Sequence, residues 1–150
     1  MNYTPASVLI IEAQPMMRLA LCSAIAAEPD LKVAELNNAD HESLTIAILD
    51  DVLFLPSQPD IILLAVGNPG QDELKALKAL RQTLPHTPIM AFTSNEVPGQ
   101  EQAAWEAGAQ AVLTKAASRA ELIGVLRELR KKTSSAKGDA CWQKLAGHLA

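Results

Sequence analysis

The sequence has few cysteines, no excess of positive charge and no long apolar run, and each shortage excludes a class of protein. Two cysteines occur, Cys22 and Cys141, far apart and without metal-ligand spacing. They read as thiols of a reducing compartment rather than as a bridge. His41, His86 and His148 are scattered, with no metal-ligand partner nearby, so no metal site is expected. The net charge is −4 and the pI about 5.3, the wrong balance for wrapping a polyphosphate backbone. No apolar run approaches the ~20 residues of a membrane helix. The opening MNYTPASVLIIEA has no basic stretch before its apolar run and no small-residue cleavage site after it. No signal peptide and a cytoplasmic location are therefore expected, with no membrane contact. What is present suits one ordinary domain: 150 residues, 49% hydrophobic and 20% charged, enough to bury a core.

Continuous aliphatic runs at Val8–Ile11, Ile61–Val66 and Ile89–Phe92, a looser run at Leu31–Leu36 and a short one at Ala111–Leu113 predict strands buried on both faces. Helical spacing lies between them. Met16–Glu28 carries Met17, Leu21, Ala24 and Ile25 on one face, and Asp72–Leu84 carries Leu74, Leu77, Leu80 and Leu84. Gly99–Ala107 carries Ala103, Ala104 and Ala107, with Trp105 off that line, and Arg119–Lys132 carries Leu122, Ile123, Leu126 and Leu129. Pro15 opens the first helix, Gly108 sits where a C-terminal glycine belongs, and Ser118 is suited to cap the last helix.

A strand–helix unit repeated five times predicts an α/β fold with a parallel sheet and helices on both faces. The usual five-stranded solution is flavodoxin-like, doubly wound in the order 2-1-3-4-5. Its site belongs where the first, third and fourth strands end. The domain is expected over 1–131, with 132–150 as a linker or tail carrying Trp142, Leu145 and Leu149 on one helical face. Asp40–Gln58 holds more apolar residues than one buried face needs. It reads either as an extended second helix with a buried tail or as an apolar patch for a partner.

Four segments in register carry a family resemblance. VLIIEAQPMMR (Val8–Arg18), PDIILLAVGNPGQD (Pro59–Asp72), PIMAFTS (Pro88–Ser94) and AGAQAVLTKAAS (Ala107–Ser118) resemble the receiver domain of two-component response regulators. The likeness is greatest to the class with a LuxR-type DNA-binding output domain, and it spans about 8–131. It implies an aspartate nucleophile at the end of the third strand and an acidic pair after the first that helps hold Mg²⁺. It further implies a Thr or Ser on the fourth strand and a Lys on the fifth that contact the phosphoryl group.

Carried over residue by residue, the first acid falls on Glu12 and the second on Ala13. The phosphoacceptor falls on Ala65, the hydroxyl on Thr93, the amine on Lys115 and the aromatic switch on Val112. A methyl group cannot attack phosphorus. Departures at 13, 65 and 112 together read as divergence into a degenerate receiver, or pseudo-receiver. No catalytic residue, no tight Mg²⁺ and no other cofactor are expected. Glu12 and Lys115 are expected to face the same crevice and pair there.

The expected function is phosphorylation-independent regulation of a transcriptional output, without enzymatic activity. A protein partner or a second copy would bind through the helices at 99–107 and 119–132. DNA contact is expected only through an output domain outside these 150 residues. The competing readings are a conventional receiver with a relocated acceptor and a phosphate-handling enzyme on the same fold. Against the latter stands the lack of a Gly-rich phosphate loop after the first strand.

Overall fold

The computed structural model describes residues 4–34, 52, 58–67, 70–94 and 96–136, with side chains as far as Lys131. Its strands are β1 (Ala6–Ile11), β2 (Leu31–Ala34), β3 (Ile61–Ala65), β4 (Ile89–Thr93) and β5 (Ala111–Thr114). Its helices, numbered as they occur among the described residues, are α1 (Pro15–Ala26), α2 (Gln71–Thr83), α3 (Gln100–Ala107) and α4 (Arg119–Ala136). The sheet runs β2-β1-β3-β4-β5, and every pairing is parallel. This is the flavodoxin-like order expected from the strand–helix repeat. The expected second helix and the patch at 40–58 fall outside the described residues, apart from Val52, which is buried, and Gln58. Trp142 and Cys141 also lie outside them.

Alternation along the strands sorts the core into two layers. Val8, Ile10, Ile61, Leu63, Ala65, Met90 and Phe92 pack with Leu21 and Ile25 of α1 and Leu122, Ile123, Leu126 and Leu129 of α4. Leu9, Ile11, Ile62, Leu64, Val66, Ile89 and Ala91 pack with Leu77 and Leu80 of α2 and Ala104 of α3. Every residue of β3 and β4 is buried. Burying each large aliphatic side chain contributes roughly 1.5–3 kcal/mol, so the centre of the sheet carries the fold.

The expectation of burial on both faces holds for the central strands and fails for the outer ones. All four residues of β5 are only partly buried, and in β2 only Leu31 is buried. Both are edge strands of the sheet, each paired with a strand on one side only among the described residues.

Local chemistry sets the helix ends. Pro15 occupies the first turn of α1 with its φ already helical. Ser118 and Glu121 form a reciprocal capping box at the start of α4. The Glu121 amide donates to Ser118 Oγ (3.1 Å), and the Ser118 amide donates to Glu121 Oε1 (3.5 Å). The helix then runs one turn past the expected end at Lys132. Gly108 ends α3 with φ +116°, and a Cβ there would meet Arg81 Cγ at 2.6 Å.

That close approach serves a clamp. Arg81 Nε donates to the Gly108 carbonyl (2.9 Å), and Nη1 donates to the carbonyls of Leu84 and Pro85 (both 3.1 Å). Nη2 donates to Gln110 Oε1, which also accepts the Ile89 amide (2.7 Å). Burial lowers the Arg81 pKa to about 10, since desolvation disfavours the cation.

Candidate functional site

Parallel pairing brings the strand ends together. Ile11 pairs with Leu64, Ala65 with Phe92, and Thr93 with Thr114. The residues that follow β1 and β5, and the last residues of β3 and β4, therefore meet at one edge. These are Glu12, Lys115, Ala65 and Thr93, the positions carried over from the family pattern. Register alone delivers this convergence across more than a hundred residues of chain.

Glu12 is 3% exposed. Its Oε1 accepts the Gln14 amide at 3.0 Å, and its carbonyl accepts Arg18 Nη1 at 3.0 Å. The carboxylate thus holds the turn from β1 into α1. Its Oε2 is buried and accepts no hydrogen bond. The charge facing that oxygen is Lys115 Nζ, at 3.9 Å. This is an ion pair at the outer limit of contact, with the lysine 22% exposed. The Lys115 amide donates to the Thr93 carbonyl (2.8 Å), which seats the lysine beside the end of β4. The sequence expectation of a Glu12–Lys115 pair is met in this geometry.

The other positions are quieter. Ala65 is buried and ends β3 with a methyl group, while Ala13 is exposed. Thr93 is fully buried, and its Oγ1 donates to the Leu113 carbonyl at 3.3 Å. Val112 is half-buried against the layer formed with α2 and α3. Among the described residues carried over from the family pattern, Glu12 supplies a carboxylate and Thr93 a hydroxyl. No hydroxyl, thiol or carboxylate stands at Ala65 to act as nucleophile. Among the described residues no group of three or more His, Cys, Asp or Glu converges to hold a metal ion.

Sequence reasoning missed Gln100. It begins α3 and is 3% exposed, unusually buried for its type. Its Oε1 accepts the Ser94 amide (2.8 Å) and its Nε2 donates to the Gly67 carbonyl (2.8 Å). The helical pattern of 99–107 contains only small alanines on its inner face, so no periodicity marks the glutamine as buried. Asp60 has a plainer role, accepting the Ser7 amide at 2.8 Å. Trp105, off the alanine line, is 38% exposed.

A second charged cluster lies at the opposite end of the sheet. Arg127 donates to both carboxylate oxygens of Asp30 (2.9 and 3.1 Å) and to Glu28 Oε1 (2.6 Å). Arg130 donates to the carbonyls of Asp30 (3.0 Å) and Thr4 (2.8 Å). The Arg127 hydrogen bond holds the Asp30 carboxyl below its ordinary pKa. The basic end of α4 reads from sequence as dipole complementation on a solvated face. The structure adds that Arg127, still 43% exposed, and Arg130 both reach across to the start of β2.

The response regulator receiver domain matches residues 8–127 of the chain. Among curated proteins, the chain is 27% identical over 124 residues to the transcriptional regulatory protein LiaR of Bacillus subtilis. It is 28% identical over 128 residues to the nitrate/nitrite response regulator protein NarL of Escherichia coli. These alignments cover 83% and 85% of this chain but 56% of each relative, so the chain spans about half their length. A methylesterase/glutaminase of Methanosarcina mazei is 30% identical over 128 residues, with 33% of its length covered. Among solved structures, a LuxR-family response regulator from Aurantimonas superposes with a TM-score of 0.69 at 23% identity, covering 85% of this chain and 86% of that one. A CheY-like receiver from Methanospirillum hungatei superposes at 0.71 and 13% identity, covering 88% and 98%. These two likenesses bear on the fold alone. The strand order, the converging strand ends and the family match over 8–127 together make this chain a member of the response regulator receiver domain family.

Proposed function

We propose that this chain is a degenerate receiver that signals without being phosphorylated, a cytoplasmic, non-enzymatic module that passes information by protein contact. The observation that carries this reading is Ala65, a buried methyl at the end of β3 beside Glu12, Thr93 and Lys115. Phosphoryl transfer needs an oxygen nucleophile there and a cation to neutralise the transferring oxygens. Ala65 supplies no nucleophile.

The donor set also does not fit the family's Mg²⁺. Oε1 of Glu12 is engaged by the Gln14 amide, Oε2 faces the Lys115 ammonium, and positions 13 and 65 offer no side-chain oxygen. Mg²⁺ prefers octahedral oxygen and one or two carboxylates, and a neighbouring ammonium opposes it. The pair instead places the lysine beside a carboxylate without any phosphoryl group. The crevice then holds one arrangement, and regulation falls to surfaces. By analogy with LiaR and NarL, which are named as regulators, the output is transcriptional and lies in a segment beyond the matched region. The contact surfaces are the outer faces of α3 and α4, engaging a protein partner or a second copy.

Intact-mass measurement after incubation with acetyl phosphate and Mg²⁺ tests this. The expected spectrum is unchanged. A phosphoryl adduct on any side chain would overturn the proposal in favour of a relocated acceptor.

A further inference from the structure

Two loops flank the crevice, one leaving β3 and one leaving β4. Ser94 lies just past β4 and Gly67 just past β3, so neither is part of the strand ladder between them. One side chain joins them. The Gln100 amide accepts from the Ser94 N–H with its oxygen and donates to the Gly67 carbonyl with its nitrogen, both at 2.8 Å. A primary amide is suited to this, having an acceptor and a donor on one planar group. Burial to 3% keeps water from competing for either bond.

The surroundings are shaped around the bridge. Gly70 holds φ +82°, and a Cβ there would come within 2.8 Å of Gln100 Nε2, 2.7 Å of the Gly67 carbonyl and 2.5 Å of Val66 Cγ1. A glycine is therefore required at the point where the amide crosses. Gln100 is also the first residue of α3, and its own N–H donates to the Val97 carbonyl at 3.3 Å. The bridge thus connects the start of a helix to two strand ends.

We propose that Gln100 is a positioning residue, a non-covalent latch that ties the Gly67 carbonyl, the Ser94 amide and the start of α3 to one another. This deepens the reading of a phosphorylation-independent module, on which it rests for its meaning. The latch ties the chain after β3 to the chain after β4 by two neutral hydrogen bonds and needs no phosphoryl group at position 65. Because an amide does not titrate, the tie does not depend on pH in the physiological range.

Amide hydrogen exchange followed by NMR on the full chain tests the latch whether or not the chain accepts phosphate. In the wild-type protein the Ser94 amide is expected to be protected to a degree comparable with the Val66 amide, which bonds the Phe92 carbonyl at 2.8 Å. Exchange of Ser94 at the rate of an unstructured peptide would overturn the proposal. Gln100→Met keeps the length and loses both bonds. It is expected to speed Ser94 exchange by at least about tenfold while Ile62, in the ladder of β3, stays within about twofold of wild type. An unchanged Ser94, or a Ile62 amide accelerated equally, would also overturn it. The wild-type measurement decides the matter if the variant fails to fold.

Discussion

The two ends of the sheet use charge in opposite ways. Where the strands begin, arginines are multiply bonded: Arg127 bonds Asp30 and Glu28 at 2.6–3.1 Å, Arg130 takes two carbonyls, and Arg81 binds the chain around Gly108 and Leu84. Where the strands end, a single lysine stands 3.9 Å from a carboxylate oxygen that accepts no hydrogen bond. Short, multiply bonded guanidinium groups fix neighbouring elements in register. One long contact to an ammonium orders little. The first end is built to hold α2 and α4, and the second brings Glu12, Thr93 and Lys115 together with alanines at positions 13 and 65.

The comparison breaks most sharply if the reactive site can be rebuilt. The double substitution Ala13→Asp and Ala65→Asp supplies the second acid and the acceptor of the family pattern. It is expected to convert a chain with no acetyl-phosphate adduct into one that gains a phosphoryl group in the presence of Mg²⁺, read by intact mass. Placing another carboxylate beside Glu12 is expected to lower stability by about 1–3 kcal/mol in the absence of cation. A failure to label in a folded double variant would mean that the crevice differs from a working one by more than its missing oxygens.

Arg81→Met tests the arginine-rich end. It strands the carbonyls of Gly108 and Leu84 and is expected to cost about 2 kcal/mol by urea unfolding. The desolvated cation that keeps the Arg81 pKa near 10 offsets part of the loss. Lys115→Met tests the open end. It leaves Glu12 Oε2 without its counter-charge and is expected to cost about 1 kcal/mol, below the 3–5 kcal/mol of a fully buried pair, because the contact is long and the lysine is partly solvated. A larger loss at Lys115 than at Arg81 would reverse the comparison.

The smallest effect concerns pH. Asp30 has a folded-state pKa below its unfolded value, so its contribution is fully present above the unfolded value of about 3.8. That contribution is lost as pH falls through the folded value. Asp30→Asn is expected to flatten the acid limb of a thermal-stability profile, matching the wild type well below about pH 4 and falling slightly below it at pH 7, by an amount kept small because exposure and salt screen the pair. An acid limb left as steep as the wild type's would show that Asp30 adds nothing to it.

Much of the fold was legible because parallel strands are buried on both faces and read as aliphatic runs. Ile61–Ala65 and Ile89–Thr93 are such runs, and they lie at the centre of the sheet. Pro15, Gly108 and Ser118 marked helix ends because each answers a local backbone requirement. The crevice positions were legible through the family pattern, since each follows a strand at a set offset. Arg127, Arg130 and Gln100 were not legible. Their partners lie about 97 to 126 residues away for the arginines and 33 for the Gln100–Gly67 bond. No local period encodes such a distance.

The amino-acid order alone determined the strand–helix alternation and the absence of an oxygen at position 65, because both are properties of single positions and short windows. Only the tertiary structure decided that Glu12 meets Lys115, that Arg127 reaches Asp30 and that Gln100 spans two loops. Those contacts depend on the order in which strands pair and on the side from which each helix packs. Both are settled by the joint burial of distant apolar surfaces rather than by any segment on its own.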